Sequence, residues 1–144
     1  MPEITLNPSN RTEFNRQLIE EFRANGGRVT GQFANRPLLL LTSTGAKSGR
    51  PYTTPVVYTK DGDRLVVIAS KGGAPTNPDW YHNLVAHPTA TVELPNERFQ
   101  ARAIITTGAE RVRLFNHQAE EMPQFAEYQK KTARQIPVIV LQRT

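Results

Sequence analysis

Apolar residues at the start of the chain recur at the spacing of one helix face. Over residues 10–25 the positions between them are mostly polar or charged, which predicts an amphipathic helix. The apolar positions are Phe14, Leu18, Ile19 and Phe22. Two glycines end this helix and a linker follows. The pattern therefore predicts an N-terminal helix and linker, residues 1–37, ahead of a second unit, residues 38–144.

After residue 38 the pattern changes to short runs of β-branched and aliphatic residues separated by turn signals. Six runs predict strands at residues 38–42, 52–59, 64–70, 89–94, 98–106 and 136–142. The connectors Lys60-Asp61-Gly62-Asp63 and Pro95-Asn96-Glu97 are short and have hairpin chemistry. The sheet is therefore expected to be largely antiparallel, as a meander that closes into a small barrel, and unlike the βαβ rhythm of a nucleotide-binding domain.

Three further helices are expected between the strands, at residues 78–86, 109–121 and 124–132. Asn77 is the expected N-cap of the first of them, with Pro78 in its first helical position. The capping box Thr107-x-x-Glu110 is expected to open the second. The predicted fold class is α+β and mainly β, an antiparallel barrel of about six strands with flanking helices.

Composition and net charge exclude some classes of reaction and favour some classes of partner. The 144 residues suffice for one domain with a sizeable core, and the absence of cysteine excludes thiolate nucleophiles and Cys-ligated metals. A net charge of +5 favours anionic partners. No apolar run approaches the roughly 20 residues that span a bilayer, and the start, Met1-Pro-Glu-Ile, lacks the features of a secretory signal. We therefore expect a cytoplasmic protein.

The motifs do not support a metal site, a serine nucleophile or nucleic-acid binding. His82, His87 and His117 lack the spacing of a metal site, so no metal is expected. No serine lies in a nucleophile elbow or a recognisable Ser/His/Asp pattern. Aromatic residues make up 8% of the chain and do not alternate with basic residues along the strands, so nucleic acid is not an expected partner.

Two segments could carry an anion site. The segment Thr44-Gly-Ala-Lys47-Ser-Gly-Arg50 is not a phosphate loop, because its glycines are wrongly spaced and a strand follows it. It is either a Gly-bounded turn that holds an anion on its backbone amides or a solvated turn with two surface cations. The choice between these interpretations stays open from the residues alone.

The second segment, residues 70–81, begins where an apolar strand ends in Ser70-Lys71. Two glycines permit close backbone approach, and the start of the next helix favours negative charge. Trp80 supplies either an aromatic wall for a ligand or ordinary core packing. If neighbouring strands bring Lys47 and Lys71 to one rim, that rim suits a planar cofactor with a long anionic tail.

Three motifs in this order resemble the deazaflavin-dependent nitroreductase family. They are Gly45-Ala-Lys-Ser-Gly49, Ala69-Ser-Lys-Gly-Gly73 and Asn77-Pro-Asp-Trp80. The likeness covers the chain from about Leu38 to its end and leaves out the N-terminal helix. It implies a split β-barrel of the FMN-binding-like type that binds coenzyme F420 and passes a hydride from it to an acceptor.

The resemblance also implies residue roles. It places the cofactor's charged tail against the amide of Ala46 and the side chains of Lys47, Ser48 and Lys71. It places the deazaflavin ring against Tyr52, Thr53, Thr54, Pro55, Val56, Val57, Ile68, Ala69 and Ser70. It completes the pocket with Asp79, Trp80, Tyr81, His82 and Asn83.

On the acceptor side, Ser70 is expected to orient the acceptor by a hydrogen bond, with Phe125 and Tyr128 as a wall; Ser70 and Tyr128 are thus the candidate catalytic groups. A quinone is the expected acceptor on family grounds, with nitroaromatics as the second class. Some members have tyrosines at the positions of Met122 and Phe125, which counts against activity on bicyclic nitroimidazoles here.

Several alternatives stay open. A related split barrel can hold FMN, haem or biliverdin instead, and a carrier or sensor without turnover would share the same motifs. The N-terminal helix either packs on the barrel, which we prefer, or lies at a membrane surface. Related barrels often pair through the sheet, so a homodimer is a further alternative.

Overall fold

The computed structural model describes residues 8–34 and 36–144, without the side chains of residues 8–12 and 32. The predictions for the start of the chain, Met1-Pro-Glu-Ile, therefore lie outside the described residues. The strands are β1 (Leu38–Thr44), β2 (Pro51–Asp61), β3 (Arg64–Ile68), β4 (Thr89–Leu94), β5 (Glu97–Ile105) and β6 (Val138–Arg143). The α-helices are α1 (Pro8–Ala24), α2 (Asp79–Ala86), α3 (Gly108–Glu121) and α4 (Gln124–Lys130). Short 3-10 turns lie at Gly31–Phe33 and Lys71–Gly73.

The six strands form a closed antiparallel barrel in the order β1-β2-β3-β6-β5-β4, which confirms the predicted fold class. The prediction of a simple meander is wrong in one respect, because β3 pairs with β6 and β4 pairs with β1. The crossover from β3 to β4 is made by residues 69–88, which include α2. The barrel is thus two three-stranded meanders joined along both edges.

Alternation along the strands divides the core into two clusters. The inner cluster draws buried residues from all six strands and so fills the barrel, with Trp80 and Leu84 of α2 packed against it. The outer cluster lies between the other face of the sheet and the helices α1, α3 and α4. Leu39 and Leu40 show the alternation, since they are neighbours in β1 and are both fully buried in different clusters.

The N-terminal helix α1 packs on the outside of the barrel. Leu18 and Phe22 belong to the outer cluster, and Phe14 and Ile19 pack against it. The Arg23 guanidinium also reaches the carboxylate of Glu93 in β4, with N···O distances of 3.1 and 2.8 Å. The apolar face of α1 therefore contacts the barrel, which is the alternative that the sequence favours.

The expected helix starts need correction. Pro78 and not Asn77 is at the N-cap of α2, because Asn77 Oδ1 accepts a hydrogen bond from the Arg134 guanidinium instead. Thr107 does precede α3, but its side chain makes no cap hydrogen bond, and Glu110 faces Arg64 at 3.4 Å. No capping box forms there, since the Glu110 carboxylate has a cationic partner on β3.

Strand and helix ends agree with the predictions to within two residues. β1 continues to Thr44 and β2 starts at Pro51, because these residues pair with each other. β3 ends at Ile68 and not at residue 70, because the next residue, Ala69, lies opposite Pro137: the Ala69 amide donates to the Pro137 carbonyl, but Pro137 has no N–H to donate in return. No helix within the described part of the chain is long and apolar enough to cross a membrane.

Candidate functional site

The two candidate loops lie at the same end of the barrel. β1 and β3 are both antiparallel to β2, so they run in the same direction. The loop of residues 45–50 follows β1, and the loop of residues 69–78 follows β3. Lys47 and Lys71 therefore follow strands that run toward the same end of the barrel, where α2 also starts, and a rim shared by the two lysines stays a prediction.

The first loop is a tight turn closed by its own backbone. The Gly45 amide donates to the Arg50 carbonyl at 2.7 Å, and the Gly49 amide donates to the Gly45 carbonyl at 3.0 Å. A Cβ at position 45 would meet the Ser48 hydroxyl and the Tyr52 ring, so a larger residue here requires both side chains to move. Lys47 lies exposed at the tip, where its ammonium can meet an anion.

Asn83 joins this loop to the helix α2. Its Oδ1 accepts from the Ala46 amide at 3.0 Å, and its Nδ2 donates to the Ser43 hydroxyl at 3.1 Å. The Ala46 amide is expected to bind the anionic tail of the cofactor. It is not available for that contact, because it already donates to Asn83. Asn83 itself is buried, so its observed part is to hold the loop and not to face a ligand.

We expect Asn83→Ala to lower the free energy of unfolding by about 1 to 3 kcal/mol, because it leaves Ser43 and the Ala46 amide without their partner. Urea denaturation followed by circular dichroism measures the change. The control is Asn116→Ala, at an exposed position of α3. Equal effects of the two substitutions would contradict the assignment.

The second loop has an unusual backbone. Lys71 has a φ of +49°, in the left-handed region that side chains other than glycine rarely adopt, and Gly72 follows with a φ of +64°. The Lys71 ammonium lies 3.2 Å from the Thr76 hydroxyl. Gly73 packs against the backbone carbonyl of Tyr128, where a side chain would not fit. The loop thus holds Lys71 in one defined backbone geometry beside α4.

Arg134 binds the second loop from outside, and sequence reasoning missed it. Its guanidinium donates to backbone carbonyls of the loop and to Asn77 Oδ1. Burial lowers the pKa of this guanidinium from its ordinary value. A single arginine ahead of the last strand carries no local signal for this role, because its partners lie 57 to 65 residues away in the sequence.

An opening in the sheet lies between these two loops. Residues 51–57 of β2 pair with β1, whereas β3 pairs only with residues 58–61 of β2. One edge of residues 51–57 therefore has no strand partner in the described sheet, and Pro51 and Pro55, which have no N–H to donate, are typical of such an edge. We call this opening, between residues 51–57 and residues 68–70, the split.

The predicted ring-lining residues of β2 divide between two faces. Val56 belongs to the inner cluster and Val57 to the outer cluster. By alternation, Tyr52 and Thr54 share the face of Val56, while Thr53 and Pro55 share the face of Val57. Only one of these two sets therefore shares the inner face of the sheet with Val56.

The predicted residues of α2 also separate. Trp80 is only 8% exposed and packs in the inner cluster. Of the two interpretations of Trp80, ligand wall or core packing, the structure therefore shows core packing. Asp79 and His82 are exposed, and Tyr81 is half-buried with its ring edge-on to His82 at 5.5 Å. Asp79, Tyr81 and His82 are therefore the accessible members of this set.

The acceptor-side residues lie near the end of β3. Ser70 is 8% exposed, and its hydroxyl makes no hydrogen bond to the described residues. Phe125 is buried in the outer cluster, with its ring edge-on to Tyr128 at 5.5 Å. Tyr128 is half-buried and has the Lys131 ammonium 5.9 Å from its ring centre. Of the two residues expected to form the acceptor wall, Tyr128 is thus more accessible than Phe125.

The donors at this end of the barrel fit an anionic, flat cofactor. Lys47 and Lys71 bring cations from two loops. The Ser48 hydroxyl next to Lys47 already accepts from the Arg50 amide at 3.2 Å and lies 3.1 Å from the Tyr52 hydroxyl. The unpaired edge of β2 offers backbone groups to a ring. The part of the chain that the structure describes contains no cluster of metal-ligating residues. Fold and site together define an antiparallel split barrel for an anionic organic cofactor.

Comparison with known proteins identifies the family. The model of the F420H(2)-dependent quinone reductase family matches residues 14–143, and the chain belongs to this family. An F420H(2)-dependent quinone reductase of Mycobacterium tuberculosis is 38% identical over 126 residues, which cover 85% of each chain. The chain is thus an oxidoreductase whose cofactor is coenzyme F420, as the resemblance implied, and the family carries the quinone reductase name and not that of a nitroreductase.

Solved structures agree with this assignment. An F420-H2 dependent reductase superposes with a TM-score of 0.69 at 38% identity, covering 74% of this chain and 95% of its own. A second structure, described as a domain-swapped dimer, has a TM-score of 0.71 at 34% identity, covering 91% of this chain and 98% of its own. A haem storage protein of Vibrio cholerae, at 15% identity and a TM-score of 0.60 over 88% of this chain and 87% of its own, shares the fold alone.

Proposed function

We propose that this chain reduces quinones with reduced F420 held across the rim, its tail between the two cationic loops and its ring in the split. The observation that carries the proposal is the position of Lys47 and Lys71 at one barrel end, on either side of the unpaired edge of β2. A long molecule with an anionic tail and a flat ring matches this arrangement of charge and opening.

Each part of the rim has a separate task. The Lys47 and Lys71 ammonium groups and the Ser48 hydroxyl bind the phosphate and carboxylates of the tail by charge-assisted hydrogen bonds. The exposed edge of β2 and residues 68–70 hold the ring. When bound, reduced F420 supplies a hydride, which is two electrons and one proton.

The acceptor is held by two side chains at the end of β3 and on α4. The Ser70 hydroxyl has no partner among the described residues and is placed to donate to a carbonyl oxygen of the acceptor. The half-buried Tyr128 forms one wall. A quinone needs a second proton to become the hydroquinone, and water at the exposed rim supplies it. No acid–base triad is required for this reaction.

Other planar acceptors follow from the same site. Nitroaromatics are the second class, because they too accept a hydride at a flat, electron-poor ring. Met122 is 9% exposed and Phe125 6% exposed, and neither has a hydroxyl to offer. We infer that bicyclic nitroimidazoles are poor substrates compared with quinones.

Assembly as a homodimer is part of the proposal. Its support is the relative described as a domain-swapped dimer, together with an exposed polar sheet face on β4 and β5. This face carries Thr89, Gln100 and Arg102. Membrane contact through α1 has less support, because the apolar residues of that helix pack on the barrel.

Two measurements on the purified protein test the function. The first titrates oxidised F420, with FMN in parallel at the same salt, and follows the fluorescence of Trp80, the single tryptophan. The second follows menadione reduction by reduced F420 at steady state. We expect saturable F420 binding, weaker FMN binding and turnover. Preference for FMN would overturn the site, and binding without turnover would indicate a carrier or sensor.

A further inference from the structure

A single guanidinium binds both ends of the loop that carries Ser70 and Lys71. Arg134 Nη2 donates to the Ser70 carbonyl at 2.8 Å, and Arg134 Nε donates to the Ala74 carbonyl at 2.9 Å. Arg134 Nη1 donates to Asn77 Oδ1 at 2.7 Å and lies 3.3 Å from the Ala69 carbonyl. All three nitrogens of the guanidinium thus bind residues 69–77.

The held segment is the one with the unfavourable backbone. Lys71, with its φ of +49°, lies between the Ser70 and Ala74 carbonyls that Arg134 binds. Such a conformation persists only when its surroundings over-determine it. Two further hydrogen bonds close the turn itself, from the Gly73 amide to the Ser70 carbonyl and from the Ala74 amide to the Lys71 carbonyl.

Arg134 is itself fixed by the segment between α4 and β6. Gln129 Nε2 donates to the Arg134 carbonyl at 2.7 Å, and the Arg134 amide lies 3.3 Å from the Thr132 hydroxyl. Gln129 Oε1 in turn accepts from Arg111 of α3 and from the Ile136 amide, at 3.1 and 3.0 Å. The backbone of Arg134 is therefore anchored to α3 and α4 through Gln129.

We propose that Arg134 is a positioning residue that sets the place of Ser70 and Lys71 in the split, and through Lys71 the affinity for the anionic tail of the cofactor. This inference rests on the proposed function. Arginine is suited to the task because its planar fork binds several acceptors at fixed angles. Lysine has one compact head and cannot hold both ends of the loop.

The test is a double-mutant cycle with Arg134→Met and Lys71→Ala, read as F420 affinity from Trp80 quenching at low and high salt. If Arg134 acts through Lys71, each substitution weakens binding by about tenfold, in the range of one lost charge-assisted contact, and the double variant is little worse than either. The salt dependence falls alike in all three, because the same cation is lost from the tail site.

A second readout needs no cofactor. Hydrogen exchange at the Gly73 and Ala74 amides is expected to speed up in Arg134→Met, because these amides close the turn. Arg134→Lys is expected to behave more like Arg134→Met than like the wild type. If the methionine variant does not fold, Asn77→Ala and Arg134→Lys remove part of the same contacts and carry the test with smaller shifts.

The control is Arg64→Met, at the opposite end of β3, where the guanidinium binds Asp61 and faces Glu110. It is expected to lower thermal stability while leaving F420 affinity and loop exchange unchanged. Wild-type affinity in Arg134→Met, or strict additivity in the cycle, would overturn the positioning role. Failure of the wild type to bind F420 would instead overturn the proposed function, and the role with it.

Discussion

Replacing both Lys47 and Lys71 with alanine is expected to weaken F420 binding by about thirtyfold or more. At a wet rim each contact is worth about 1 to 1.5 kcal/mol, between an exposed ion pair and a buried charge-assisted hydrogen bond. Lys47 is exposed and Lys71 half-buried, so neither reaches the full value of a desolvated pair. Titration of F420 against Trp80 fluorescence measures the loss.

Salt separates this effect from general damage to the fold. Contacts between exposed charges are screened over about 8 Å at physiological ionic strength, so the wild type should lose affinity as salt rises and the double variant much less. Lys60→Ala is the matched control, because Lys60 is an exposed lysine of β2 near the hairpin at the other end of the barrel. Unchanged affinity in the Lys47/Lys71 variant would remove the tail assignment.

Much of the barrel follows from local patterns. Short apolar or alternating runs mark the six strands, and the connectors near Gly62 and Pro95 form the expected hairpins. The order of the strands is harder to predict, because pairing of β3 with β6 depends on residues 70 or more positions apart. Local pattern predicts that strands exist, while the closure of the barrel decides which of them are neighbours.

The features of the site also divide into those that local sequence predicts and those that depend on the fold. The motifs around Lys47 and Lys71 identify the cofactor family, because their glycines and cations are close together in the sequence. The contacts that hold these loops are not local: Asn83 lies 37 residues from Ala46, and Arg134 lies 64 residues from Ser70. A single asparagine or arginine in the sequence does not show whether it is exposed or belongs to a buried hydrogen-bond network. Only the fold distinguishes these two cases.

The buried position of Trp80 shows that this residue anchors α2 to the barrel core. The sequence offers Trp80 as a ligand wall or as core, and the structure places it on the inner cluster with Leu84. This packing holds the helix that carries Asn83 against the barrel interior. The aromatic residue of the Asn-Pro-x-Trp motif thus supports the first loop through the core, whatever contact it makes with a ring.

Phe22→Ala is expected to lower the free energy of unfolding by about 3 to 5 kcal/mol, the cost of emptying a well-packed aromatic site. Phe22 is 3% exposed and packs in the outer cluster between α1 and the barrel. Since domains of this size are stable by about 5 to 15 kcal/mol, the change should be plain in urea denaturation. Trp80 fluorescence reports it from inside the barrel, far from the substituted residue in the sequence.

The same experiment tests whether residues 1–37 and 38–144 are separate units. If α1 is an independent appendage, the Trp80 signal unfolds at the same urea concentration in Phe22→Ala as in the wild type. We expect instead a single transition at lower urea, because Leu18 and Phe22 share one cluster with Leu40 and Val140 of the barrel. Val112→Ala, at a position of α3 that is 47% exposed, is the control and should leave the transition nearly unchanged.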